Sequence, residues 1–179
     1  MNDKAQKAYD GLKYLAKYIT NPVLYRAALS VIENPDFQAQ VGSSKNHHAY
    51  TYGLMIHTYE VTKYAVGMAD MMPGKVDYDV LVTAAIFHDF CKIKEYKVMI
   101  SGEVFNTRYR KLVRHVAGSH AAFLQAIGDA VLNGETVVSI EHAILAHHGR
   151  LEHGSPVVPL TLEAYILHAA DMLSAQHFE

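Results

Sequence analysis

Tryptophan is absent from this sequence, and cysteine occurs once, as Cys91. A lone cysteine closes no internal disulfide, so packing must hold the chain together, and a reducing, cytoplasmic setting is the expectation. No stretch approaches the roughly 18 apolar residues of a membrane-spanning helix. The first residues, Met1 to Lys7, lack the apolar run of a signal peptide. An excess of charge of one sign is also missing. The formal net charge is −2 with histidine neutral, which removes the polybasic signature of tight, sequence-independent nucleic-acid binding but leaves room for a local basic groove. There are no internal repeats, no low-complexity tracts and no long linker.

Histidine, by contrast, is abundant, with twelve among 179 residues. It is the commonest metal ligand and the side chain that titrates nearest neutral pH. Half of the sequence is apolar, enough for a buried core. Apolar periodicity predicts helices over about 4–20, 22–32, 51–71, 77–90, 111–132, 136–148 and 161–177. Residues 33–50 read as loop. Residues 94–109 alternate around Ser101-Gly102 and read as a β-hairpin. The expectation is an all-α bundle with one small hairpin, in which residues 1–45 form an N-terminal helical segment packed on a domain spanning 46–179.

Several histidines and aspartates sit at the ends of apolar helices. His57 shares a helix face with Leu54, Val61, Tyr64 and Met68, so it points inward. Alone, such a histidine is more often a hydrogen-bonded core residue than a ligand. His88-Asp89 closes the apolar run Val80 to Phe87, where a buried carboxylate is costly unless paired or metal-bound. His147-His148 closes the run Ile140 to Ala146. Adjacent imidazoles diverge by about 100° on a helix, so they converge on one ion only at a frayed end. Asp171 lies among Leu167, Ala170 and Leu173, with His168 three residues earlier. His115 follows Lys111 and Arg114 and reads locally as wet surface. His120 and His142 read equally as core or as groups behind a site, and His47, His48 and His153 fall in loops. Imidazole and carboxylate without thiolate suit manganese, iron, zinc and similar ions. A second ion needs a bridging carboxylate, for which Asp89 is the natural candidate.

These residues resemble the HD superfamily pattern of a histidine, a His-Asp pair and a distant aspartate, here His57, His88-Asp89 and Asp171. The run HHAYTYGLMIH ending at His57 is similar to the HHAYxGGLLEH segment of a subgroup that includes YhaM-type 3′–5′ exoribonucleases. The run ILAHHGRLEHGSPVVPLTLEAYILHAADMLSA from Ile144 is similar to that subgroup's ILSHHG, EYGSP, P-x-T-x-EA and LH-x-x-D-x-x-DA segments. The resemblance covers about 46–176. It implies two divalent transition ions (Mn, Fe, Zn, Co or Ni), with His57, His88, Asp89 and Asp171 on one, Asp89 bridging, and His115, His147 and His148 on the other. Lys92 matches the lysine of the family's HDxxK segment. The sequence departs at Tyr52 and Arg114, where that subgroup has glycine, and at Ile56 and Cys91. The first 45 residues read as helical, where the subgroup carries an OB-fold.

The reaction implied is phosphoester hydrolysis, with Asp89 and Lys92 at its centre. The expected substrate is a small phosphorylated molecule or short nucleic acid. Phosphodiesters, as short nucleic acid ends or cyclic dinucleotides, come ahead of free nucleotides, and no membrane partner is expected. His48, Tyr50, Lys92, Arg114 and Arg150 are the candidate substrate contacts, with Arg108 and Arg110 also near the mouth. His120 is one candidate for the leaving-group acid. A nucleotidase, a di-iron oxygenase using the same ligand types and a non-catalytic binding module are the competing readings. The last normally follows ligand loss, which this sequence does not show.

Overall fold

A computed structural model describes residues 1–44, 48–99 and 101–176. Short polar side chains set the helix starts by accepting the otherwise unpaired first-turn N–H groups. Asn2 opens α1 (Asp3–Leu15), which a single 3₁₀ turn, Ala16–Tyr18, extends. Asn21 and Asn34 open α2 (Pro22–Ile32) and α3 (Pro35–Ala39), each with proline in the first turn, where its missing N–H is no loss. α4 spans Gly53–Asp70, and Asp77 caps α5 (Tyr78–Phe87). A short turn α6 (Lys92–Glu95) leads into β1 (Tyr96–Val98), which pairs antiparallel with β2 (Val104–Asn106), Lys97 facing Phe105. α7 (Arg108–Leu112), α8 (His115–Ile127), α9 (Gly134–Ala146) and α10 (Leu162–Ala175) complete the fold, with a 3₁₀ turn at Leu151–His153.

Every residue of α5 from Val80 to Phe87 is buried. A helix without a polar face must be surrounded, and α2, α4, α9 and α10 pack around it. Each large side chain enclosed this way contributes about 1.5–3 kcal/mol. α4 lies between α1, α5 and α10, and the buried cluster runs from Ala5 through Phe87 and Phe123 to Ala170. Among the described residues no helix is long and apolar enough to cross a membrane.

The all-α expectation with a small hairpin matches this architecture, and three local readings need correction. Residues 33–50 contain α3, because Asn34-Pro35 starts a helix as well as ending one and Phe37 is fully buried. The hairpin strands have only three residues each, and both flanks are helical turns. The helix read over 111–132 is two helices. Arg114 takes φ 65° and ψ 162°, where no helix continues, and the Glu95 carboxylate accepts the N–H of His115 at 2.6 Å from outside. That bond turns the chain and starts α8 with His115 facing inward.

Candidate metal centre

The helices deliver their polar ends to one place. His57 lies one turn into α4, and His88 and Asp89 follow the last turn of α5. His147 and His148 follow α9, His115 opens α8, and Asp171 comes from α10. His57 Nε2 is 3.1 Å from Asp171 Oδ1, 3.3 Å from Asp89 Oδ2 and 3.4 Å from His88 Nε2. His88 Nε2 is 3.4 Å from Asp89 Oδ2. On the other side, His115 Nε2 is 3.2 Å from His148 Nε2, and the His147 and His148 rings are 4.3 Å apart. His57, His88, Asp89 and Asp171 form one group whose ligand atoms all lie within 4.8 Å of one another, and His115, His147 and His148 form a second.

Asp89 divides its carboxylate between them. Oδ2 faces His57 and His88, while Oδ1 lies 3.2 Å from His115 Nε2 and 3.8 Å from His147 Nε2. Despite these distances, the alignment is not that of a hydrogen bond. Asp89 Oδ1 and His147 Nε2 are both buried without a hydrogen-bond partner. Such orphans are rare and costly in protein interiors, and a cation between them would satisfy both. The donor set fits a divalent transition ion on the same ground.

Hydrogen bonds fix each ring so that Nε2 turns inward. His88 donates from Nδ1 to the Ala85 carbonyl at 2.7 Å, His147 to Ile144 at 2.6 Å and His148 to His153 at 3.0 Å. His115 Nδ1 donates to Glu95 Oε1 at 3.0 Å. His57 Nδ1 donates to Ser174 Oγ at 2.9 Å, and that hydroxyl donates to Glu60 Oε2 at 2.9 Å. These partners hold a proton on each Nδ1 and turn Nε2 to the ligand side, where on His57 a cation would displace the second proton that Asp171 and Asp89 favour.

Glu95, Ser174 and Glu60 escaped the sequence reading. Ser174 had a signal, since it lies three residues after Asp171 on the same face of α10. Glu95 had none, because the contact is made across the hairpin. Glu95 is buried and also pairs with Arg110 at 3.0 Å. Glu95→Gln should keep the fold but weaken metal affinity at the His115 group by about 10–100-fold, the usual effect of losing an orienting partner. Metal titration of the purified variant checks this; unchanged affinity would remove Glu95 from the account.

Electrostatics follow from the crowding. Burial opposes a charge on His57, yet Asp171 and then Asp89 raise its pKa to about 9. Burial likewise opposes charge on Asp89 and Asp171. Lys92 and His88 hold Asp89 well below the usual range, and His57 does the same for Asp171. Burial and the neighbouring imidazoles push His147 and His148 down, so both are neutral donors at pH 7. Lys92 Nζ lies 2.6 Å from Asp89 Oδ2, and Asp89 keeps it charged against burial.

The remaining sequence candidates divide. His48 is buried beside the first group, its ring 5.3 Å from that of His57 and its Nε2 3.2 Å from Glu60 Oε2. Exposed Tyr50 bonds His48 Nδ1 through its hydroxyl at 3.2 Å. Arg114 Nη1 lies 2.9 Å from the point a Cβ on Gly154 would occupy, and His148 Nδ1 is 3.8 Å from that point. Arg108 and Arg150 are exposed and make no side-chain bond among the described residues. Arg110 is not available for a phosphate, because Glu95 and the Tyr96 hydroxyl hold it. His115 is buried, against the local reading of wet surface. His120 pairs with Glu141 at 2.6 Å and His142 accepts the Leu160 N–H at 2.9 Å, so both belong to neither group. His168 bonds the His147 carbonyl at 2.8 Å. His47 lies outside the described residues.

Comparison with known proteins agrees with this geometry. The HD domain model matches residues 54–176. The 3′-5′ exoribonuclease YhaM of Bacillus subtilis is 33% identical over 161 residues, covering 87% of this chain and 49% of the relative. The protein of the same name from Bacillus pumilus is 30% identical over 176 residues, covering 94% and 54%. That from Listeria monocytogenes is 33% identical over 142 residues, covering 78% and 44%. The chain thus spans about half the length of the curated relatives it matches. No solved structure gives a significant match. With the family match extending over most of the sequence and all four residues of the His, His-Asp, Asp pattern brought to one point, this chain belongs to the HD domain family.

Proposed function

We propose that the chain is a metal-dependent phosphodiesterase that hydrolyses short nucleic acid ends, with two divalent transition ions held on either side of Asp89. The observation that carries this reading is the division of the Asp89 oxygens between two ligand groups. His57, His88, Asp89 and Asp171 would hold one ion, and Asp89, His115, His147 and His148 the other. Such a pair supplies Lewis-acid stabilisation to both the attacking and the leaving oxygen of a phosphoryl displacement. Asp89 would be shared by both ions, and its contact with Lys92 keeps that residue charged beside it. Lys92 then offers a fixed positive charge to a non-bridging phosphate oxygen. Arg114, near His148, and exposed Arg150 would pair with phosphate. Tyr50, tied to the centre through His48, offers a ring for base stacking. The relatives named as exoribonucleases give the substrate class its support. Residues 1–45 fit this reading as a helical segment packed on the HD domain.

The test is a side-by-side assay with manganese on a dinucleotide, a short RNA, a cyclic dinucleotide, bis(p-nitrophenyl) phosphate, and nucleoside mono- and triphosphates. The expected result is turnover of the short RNA and the dinucleotide, with little on the mononucleotides. Turnover confined to mono- or triphosphates would replace this reading with a nucleotidase, and dependence on oxygen would point to a di-iron oxygenase.

A further inference from the structure

A second feature lies beside the centre, on the side of α1 and α4. Residues Ile56, Tyr59, Glu60, Lys63 and Tyr64 are spaced three, four, seven and eight apart, so they form one stripe along α4. Lys4 and Lys7 face it from α1, and together these residues line a cavity of about 240 Å³. Gly11 lets the helices approach, because a Cβ there would lie 2.2 Å from the Tyr59 ring. Lys4, Lys7 and Lys63 are exposed, and none is in an ion pair among the described residues. The single acidic residue in the wall, Glu60, turns its carboxylate to Ser174 and His48. Three ammonium groups therefore surround one opening in a chain whose net charge is −2.

A series of side-chain contacts links the cavity wall to the metal centre. Lys4 Nζ lies 3.4 Å from the Tyr50 hydroxyl and 5.8 Å from the centre of its ring. That hydroxyl also bonds His48, whose ring packs 5.3 Å from His57. A strand leaving the centre past His48 and Tyr50 meets Lys4 next. We infer that the Lys4–Lys7–Lys63 cavity is a subsite for the backbone phosphates of a single-stranded nucleic acid, one or two nucleotides beyond the bond being cleaved. The inference rests on the phosphodiesterase reading. It adds that length discrimination comes from the seam of α1 and α4, where Lys4 and Lys7 lie outside the residues that match the family and Lys63 lies within them.

The test replaces Lys4, Lys7 and Lys63 together with alanine, and in a control together with arginine. All three are exposed helical positions, where alanine is a good helix former. Binding of a fluorescein-labelled, phosphorothioate-linked RNA hexamer is followed by anisotropy over a range of salt. KM and kcat are measured on a hexamer, a dinucleotide and bis(p-nitrophenyl) phosphate. The alanine variant should bind the hexamer about tenfold more weakly, with a salt slope reduced by about 2, as loss of three single-strand phosphate contacts requires. Its KM for the hexamer should rise, while kcat and both parameters for the two small substrates stay within about twofold, and the arginine variant should restore binding. Unchanged hexamer binding and slope would overturn the inference, as would an equal loss on the dinucleotide. Competition by AMP or inorganic phosphate as effective as that of an unlabelled oligomer would assign the cavity to a small phosphate ligand instead. If no phosphodiester is hydrolysed by the unaltered protein, the catalytic reading fails by itself, and the anisotropy series still decides this one.

Discussion

Asp89→Asn is expected to empty both ligand groups of metal and to lower phosphodiesterase activity by at least about 10³-fold, since the ions and their charge are asked for several kcal/mol of the barrier. Asparagine keeps the size of the side chain but removes the charge that both groups share. It also leaves Lys92, 2.6 Å away, without its counter-charge. An unpaired charge of that kind costs stability as well, so thermal unfolding and circular dichroism must accompany the assay. Elemental analysis of the purified variant reads the metal, and turnover of bis(p-nitrophenyl) phosphate reads the chemistry. Full metal content with full activity would remove Asp89 from the centre of the account.

Gly149→Ala should have a large effect for a single added methyl group beside the site. Gly149 follows His147-His148 with φ 78°, a conformation that costs an L-residue about 1–2 kcal/mol. A Cβ there would also lie 2.3 Å from the His168 ring, which is held by its bond to the His147 carbonyl. Crowding of that kind adds about 1–3 kcal/mol, so the variant should lose about 2–5 kcal/mol and roughly 4–20 °C in Tm. Because the same turn presents both imidazoles, metal affinity at the His115 group should fall with it. Adding His168→Ala should recover the steric part and leave the backbone part. A variant as stable as the parent would show that the turn does not depend on the glycine.

The parts of this site legible in the sequence were those written in local pattern. His57 could be read from helical spacing, and His88-Asp89 and His147-His148 from their place at the ends of apolar runs. Asp171 could be read from its apolar neighbours. His115 could not, because Lys111 and Arg114 beside it suggest solvent. Its burial depends on Glu95, twenty residues earlier in the chain, which caps α8 and orients the ring. The family resemblance identified the residue where local reading failed. The helix through 111–132 failed for the same reason, as a backbone turn at Arg114 leaves no periodicity signal.

The departures at Tyr52 and Arg114 have a physical meaning that the sequence alone does not carry. Tyr52 takes φ 72°, just before α4, and Arg114 takes φ 65° with ψ 162°, a region nearly confined to glycine. The subgroup pattern that this sequence resembles has glycine at both positions, and glycine adopts these angles without penalty. This chain holds about 1–3 kcal/mol of strain at each. The strained residues lie just ahead of α4, which carries His57, and of His115. His48, itself at φ 62°, fits between Gly42 and Gly53, and a Cβ on Gly53 would lie 2.0 Å from its carbonyl oxygen. The retained glycine and the replaced one thus serve the same tight turn.

An anomalous difference map of crystals grown with manganese reads the division of ligands at Asp89. Two peaks per chain are expected, one among His57, His88, Asp89 and Asp171 and one among Asp89, His115, His147 and His148, with an Asp89 oxygen beside each. A single peak confined to the first four residues, at saturating metal, would contradict that division.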